Sequence, residues 1–287
     1  MALVLTLTVI VLITAMVIEF SYGVYVNTNA LYNWQTAQRL SFVAKSAIQL
    51  TSTTLSENHK LYPYSYPGIF MMSHPNLFEE FEGVVSSKIE DEDSKFHLNS
   101  LVYPNGRLNE KAYLSLIRLL HFLEVNTDLA DRIVDWIDPD KESRIEDSEY
   151  GAKNGFLDSV DELLIIPGID QTTFDKLQPY ITIYGSGLIN INGAEIPVLV
   201  SLGEAISGEI AERIIHYREI TPFENPGDIL KVAGFETIGQ ALMGQITVKG
   251  TAFRVTTTAT EGDIRRRIES LLEMTGSRPT IKYWKET

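Results

Sequence analysis

Six carboxylates fall within twelve residues of this chain, in the run Asp138-Pro-Asp140-Lys-Glu142-Ser-Arg-Ile-Glu146-Asp147-Ser-Glu149. Unpaired carboxylates at this spacing repel one another, and Lys141 and Arg144 offset only two of the six. A hard divalent cation relieves that repulsion. Calcium accepts roughly six to eight oxygens from carboxylates, carbonyls and water in a flexible loop, whereas magnesium's rigid octahedron suits fewer protein carboxylates. The run opens D-x-D like an EF-hand, but Ser143 stands where that loop needs glycine and the later acids are spaced differently, so it is not an EF-hand. A solvated acidic loop is the other reading of the same composition.

The charge around this run is concentrated. Between residues 128 and 162 there are 12 acids and 4 bases, a net of -8, out of -14 for all 287 residues. With 38 acidic against 24 basic residues, a sequence-independent grip on nucleic acid or on anionic lipid is disfavoured. The absence of cysteine excludes disulfides, thiolate metal sites and cysteine nucleophiles. The five histidines, His59, His74, His97, His121 and His216, are scattered without metal or triad spacing, and no P-loop or dinucleotide fingerprint occurs. Nothing here points to an enzyme.

The elements that position the acidic loop begin with an uncharged run over residues 2–18, which reads as a single membrane helix at about 1.5 Å rise per residue. Apolar residues Phe20 to Val26 lengthen it past Glu19. A secretory signal would need basic residues ahead of the apolar core, and none precedes Arg39. The N-terminus therefore reads either as already processed or as an ordinary signal anchor beginning at Met1. Leu31, Trp34, Ala37, Leu40, Val43, Ala47 and Leu50 then recur with helical period and predict that one helix continues to about Leu55, its second half packed on a soluble domain. Pro63 and Pro67 end it.

Strands are predicted for Gly83-Val-Val-Ser-Ser-Lys-Ile89 and Lys95-Phe-His-Leu-Asn-Ser-Leu101, joined as a hairpin by an acidic turn at residues 90–93, and again for Ala252 to Ala259 and Thr280 to Trp284. Residues 265–274 fit a strand or a helix. Between these flanks, residues 108–250 are predicted to be mainly helical, a block inserted into a strand-built domain. Helix-period residues stop at Asp135-Trp-Ile-Asp138, and Pro139 marks the boundary from which the acidic loop starts. Two stretches in the helical block, around Ile166-Pro-Gly168 and Val232-Ala-Gly234, resemble helix-hairpin-helix modules of competence-type DNA receptors. Asp170 and Glu236 stand where the second hairpin glycine belongs, and a carboxylate there would repel phosphate, so no nucleic-acid partner is expected.

Several pieces in order carry a family resemblance: Met1-Ala-Leu-Val-Leu, Asp91-Glu-Asp-Ser-Lys-Phe-His-Leu-Asn-Ser-Leu101, Ala130-Asp-Arg-Ile-Val-Asp-Trp-Ile-Asp138, Glu146-Asp-Ser-Glu-Tyr150, Lys153-Asn-Gly-Phe156, Ile189-Asn-Ile-Asn192 and Tyr283-Trp-Lys-Glu286. Over nearly its whole length the chain resembles the type II secretion minor pseudopilin K family. The resemblance implies an α+β fold with a pilin-like long N-terminal helix packed on a small antiparallel β-sheet and a large inserted α-helical domain of helix-hairpin-helix or SAM-like type. The boundaries follow as a transmembrane and amphipathic helix over 1–55, the first part of the β domain over 56–107, the inserted domain over 108–250 and the final strands over 251–287.

The resemblance further implies a non-enzymatic subunit at the tip of a periplasmic pseudopilus, anchored once in the bacterial inner membrane with its N-terminus cytoplasmic. Its partners would be other minor pseudopilins through the helix and β domain, inner-membrane lipid before assembly, and a prepilin peptidase that leaves Met1 as a methylated N-terminus. Leu5 occupies the position where major pilins carry a glutamate that neutralises a neighbour's terminal amine, and a subunit lacking it suits the tip. Calcium is implied in the helical domain, with Asp138, Asp140, Glu146 and Asp147 as matching positions and Glu142 and Glu149 as further candidates. Ile145 stands where many relatives have glycine, which leaves the ligand set open. A type IV pilus minor pilin, acting in adhesion, motility or DNA uptake, is the alternative function.

Overall fold

With no proline and a single glycine before residue 61, nothing interrupts the N-terminal helix, and α1 runs over Ala2–Leu61. It stops where Tyr62 turns extended ahead of Pro63, its N–H still reaching the Asn58 carbonyl at 2.9 Å. The computed structural model describes residues 1–74, 81–146, 148–276 and 278–287. The first part of α1 is exposed on every side and is long and apolar enough to cross a membrane. From Ala37 onward one face is buried, through Leu40, Val43, Ala44, Ala47, Ile48 and Leu55.

Two strands follow, β1 (Ile69–Ser73) and β2 (Val84–Asp91), and the chain then leaves the sheet. Short β3 (Phe96–His97), α2 (Glu110–Phe122), α3 (Leu129–Ile137), α4 (Gln171–Leu177) and β4 (Ile181–Thr182) build a first helical lobe. A second is built from β5 (Ile189–Asn190), α5 (Ile196–Ser201), α6 (Gly208–Ile220) and β6 (Ile246–Thr247). The chain returns to the sheet as β7 (Ala252–Glu261), β8 (Ile264–Thr275) and β9 (Arg278–Glu286). The five strands pair antiparallel in the order β1-β2-β7-β8-β9, so the strands flanking the insertion meet as β2 and β7. Residues 265–274, open to either reading in the sequence, lie within β8. The fold is α+β with a long N-terminal helix on an antiparallel sheet.

Alternation along the strands turns Val85, Ile89, Val255, Ala259, Ile268 and Leu272 toward α1, forming one core. The helical block holds two more. The first gathers residues from Phe96 to Ile181 and the second from Ile189 to Val248. Phe96, Leu98, Leu101 and Val102 thus belong to helical packing although they precede residue 108.

The expected hairpin between residues 83–89 and 95–101 does not form. Only Phe96 and His97 of its second arm are strand, and they pair in parallel with Ile181 and Thr182. The cause is the segment read as an acidic turn, because Asp91, Glu92 and Asp93 are buried and bonded to residues far along the chain. Asp91 accepts from the Asn190 side-chain amide at 2.7 Å and the Asp93 N–H at 2.9 Å. Asp93 Oδ1 accepts from the Ser186 N–H and hydroxyl at 2.6 and 2.7 Å, and its Oδ2 from Thr251 N–H, Thr251 hydroxyl and Ala252 N–H at 2.5, 2.8 and 3.1 Å. Glu92 pairs with Arg254 Nε at 2.8 Å and Lys95 Nζ at 3.1 Å and accepts from the Thr182 hydroxyl. Gly185 passes Asp93 with φ of +105°, and a Cβ there would stand 2.6 Å from Oδ1, so this close crossing needs glycine. The three acids pin sheet, first lobe and second lobe together at one point.

Candidate metal centre

α3 ends where the acidic loop begins. Leu129, Ala130, Ile133, Val134 and Ile137 turn into the first lobe's core, and Pro139 forbids a further turn. The Asp138 N–H makes the last helical bond, to the Val134 carbonyl at 2.8 Å. Asp135 and Asp138, three apart, lie on one side of this C-terminal turn and both are buried. Carboxylates there meet the negative end of the helix dipole, an arrangement that calls for a cation.

The loop supplies further groups. Glu149 returns to the helix end, and one oxygen each from Asp135, Asp138 and Glu149 lie within 4.8 Å of one another. Asp135 Oδ2 is held by the Arg144 backbone N–H at 2.8 Å and by the Ser148 hydroxyl. Its Oδ1 makes no aligned hydrogen bond and is approached by Arg144 Nε at 3.1 Å. Arg144 Nη2 lies 3.3 Å from Asp138 Oδ2. Asp138 Oδ1, Glu149 Oε1 and Asn154 Oδ1 are buried with no hydrogen-bond partner among the described residues. The Asn154 amide nitrogen donates to the Asp140 carbonyl at 2.9 Å, which brings that side chain to the same loop.

The electrostatics agree with this geometry. Burial, with Asp140 beside it, pushes the Asp138 carboxyl above its ordinary value despite Arg144. Burial followed by Asp135, Asp138 and Asp140 pushes Glu149 up likewise. Three carboxylates against one guanidinium leave the cluster at -2 when all are ionised, the charge that one divalent cation cancels. Orphaned, converging oxygens of this chemistry fit calcium.

Of the residues singled out in the sequence, Asp138 and Glu149 are brought together. Asp140 stands close enough to act on both, its Oδ1 accepting from the Glu142 N–H at 2.8 Å. Glu142 and Glu146 are exposed and outside the cluster, and Asp147 lies outside the described residues. Asp135 was missed as a ligand because it sits inside the helical period. Its signal was a charged residue in a nine-residue helix whose neighbours on both sides are core.

The acids at the two hairpins are used locally. Asp170 caps α4, accepting from the Thr173 N–H at 2.7 Å, and Glu236 accepts from the Gly234 N–H at 2.9 Å. Each carboxylate occupies an amide that a phosphate would need. At the other end of the chain, Met1 and Leu5 lie on the exposed apolar stretch at the start of α1.

Residues 94–186 and 189–249 match two family models, both described as type II secretion system (T2SS), protein K. A type II secretion system protein K from Pseudomonas aeruginosa is 28% identical over 165 residues, covering 52% of this chain and 49% of that protein. The chain thus spans about half the length of that relative. One from Aeromonas hydrophila is 24% identical over 235 residues, covering 68% of each. The solved GspK-GspI-GspJ complex of the enterotoxigenic Escherichia coli type 2 secretion system contains a chain with the same fold, at a TM-score of 0.67 and 21% identity, covering 91% of this chain and 99% of that one.

Proposed function

Because the chain belongs to the type II secretion system protein K family, we propose that it is a minor pseudopilin which joins other minor pseudopilins at the tip of the pseudopilus, initiating or capping assembly. The single observation behind the tip reading is the pair of helical lobes inserted between β2 and β7, a bulk that a subunit stacked above would have to clear. Leu5 on the exposed face of α1 supports it, since a subunit without a charge to pair with a neighbour's terminal amine is poorly suited to lie beneath one. The apolar run of α1 serves as a single inner-membrane anchor before assembly, leaving the rest periplasmic, with a prepilin peptidase generating the methylated terminus. A type IV pilus role is not favoured by the family matches. Gold labelling of a C-terminal tag on assembled fibres tests the placement. One label at one end is expected, and labels repeated along the shaft would rule the tip out.

We also propose that the end of α3 and the loop after it bind calcium. Asp135, Asp138 and Glu149 supply carboxylate oxygens and Asn154 an amide oxygen, with Asp140 beside them as a further donor. The bound ion would neutralise the cluster and fix the loop against the first lobe. Thermal melting of the detergent-solubilised full chain with calcium and with chelator measures this. Saturation at about a hundredfold over Kd should add about 2.7 kcal/mol by mass action, and Asp138→Ala should abolish the shift. An unchanged midpoint for the natural chain would remove calcium from the account.

A further inference from the structure

We infer that Arg144 is a tethered competitor for this cation site, so that one side chain sets the affinity for calcium. The inference rests on the calcium reading above and goes beyond it. Asp135 has only one oxygen to offer a metal, because Oδ2 is taken by the Arg144 backbone N–H and the Ser148 hydroxyl. That remaining oxygen, Oδ1, is the atom Arg144 Nε approaches at 3.1 Å, while Nη2 of the same guanidinium reaches Asp138 Oδ2 at 3.3 Å. A divalent ion seated on Asp135 Oδ1 therefore takes the guanidinium's place at that atom and, at such range, repels its positive charge. Among the described residues the Arg144 guanidinium is the only cation touching these two buried acids.

The side chain is built to leave. The Arg144 side chain is 32% exposed, against 0% and 2% for those of Asp135 and Asp138, and it lies in the loop after Pro139 and outside any helix or strand. Its backbone N–H is what orients Asp135, so the carboxylate keeps its direction when the guanidinium swings into solvent. Calcium binding is then an exchange of one cation for another, and the guanidinium's two contacts are subtracted from the affinity.

The test compares calcium binding, by titration calorimetry on the detergent-solubilised full chain, for the natural chain, Arg144→Gln and Lys141→Gln. Lys141 carries the same charge in the same loop but is exposed and makes no contact with these acids. Arg144→Gln should bind calcium about tenfold tighter or more, the scale of charge-assisted hydrogen bonds lost from the metal-free state, and should melt lower than the natural chain in chelator. Lys141→Gln should stay within about twofold, as expected for an exposed, screened charge. Equal affinity in all three chains, or equal tightening in both variants, overturns the competition while leaving the calcium site standing. Binding by Arg144→Gln alone sustains the competition and removes calcium from the natural chain. Binding by none sinks both.

Discussion

Asp93→Ala is expected to lower stability by roughly 4 kcal/mol or more, on the basis of about 1–3 kcal/mol for each buried donor left without an acceptor. Five donors converge on this carboxylate, from Ser186, Thr251 and Ala252, and three of them are backbone N–H groups that no rotamer change can redirect. The donors belong to the link between the two helical lobes and to the start of β7, so their loss loosens the joint between lobes and sheet as well as the residue's own surroundings. Asp93→Asn keeps the shape but turns one accepting oxygen into a donor, and should recover only part of the loss. Asp161→Ala, on the surface of the first lobe, is the control. Thermal midpoints of the three variants measure the difference, with limited proteolysis near residues 184–188 reporting whether the joint has opened. A drop for Asp93→Ala no larger than about 0.5 kcal/mol, the usual scale of surface changes, would mean that the joint is held by packing alone.

The same acids mark the limit of what sequence alone discloses. The long helix was legible because its signals agree, from an uncharged run through an i, i+3, i+4 stripe to a closing proline. Pairing of the flanking strands was legible as well, since apolar alternation reappears on both sides of the helical block. Asp91-Glu-Asp93, by contrast, reads as an acidic hairpin turn because acidic residues are seldom buried unless paired, and the partners that bury them lie between 90 and 162 residues away. No local pattern carries that information. The division of the helical block into two cores was hidden for a related reason. The boundary falls at residues 184–188, where Gly185 and Gly187 permit a crossing that only the tertiary contacts with Asp93 and Ser100 explain.

At the candidate metal centre the acidic run was visible, and its position after α3 was fixed by Pro139. The buried half of the site was not visible. Asp135 belongs to the helix by period and to the site by direction, and only the return of the loop through Glu149 and Asn154 shows which acids converge. Acids that look alike in sequence therefore divide in space. Glu142 and Glu146 are solvated, while Asp135 and Asp138 share one guanidinium and leave oxygens unused.

Arg254→Met is expected to cost about 3 kcal/mol near pH 7, the usual cost of removing one partner from a buried ion pair. Arg254 reaches Glu92 Oε1 at 2.8 Å and Glu269 Oε1 at 2.5 Å, and Glu92 is fully buried. Glu269 keeps the Tyr283 hydroxyl as a donor, but Glu92 is left with Lys95 and the Thr182 hydroxyl. Burial pushes the Glu92 carboxyl up, and in the natural chain Lys95 and Arg254 outweigh burial and hold it below the ordinary glutamate value. Its contribution is therefore complete above the unfolded pKa and is lost as pH falls through the lowered folded value. Without Arg254, burial is opposed only by Lys95 and the Thr182 hydroxyl and the folded value is expected to rise, so the variant carries its largest penalty at neutral pH and sheds part of it as acid protonates Glu92. The gap between variant and natural chain should narrow as the pH falls from about 7 to about 5. Lys282→Met, which removes an exposed partner of Glu273, should cost less than about 1 kcal/mol at either pH. Thermal melting of the three chains at both pH values decides the matter, because a constant gap would show that the charge left uncompensated is not Glu92. This pair and Asp93 therefore hold the inserted helical lobes against the sheet, through bonds that reach Thr182, Ser186 and the start of β7.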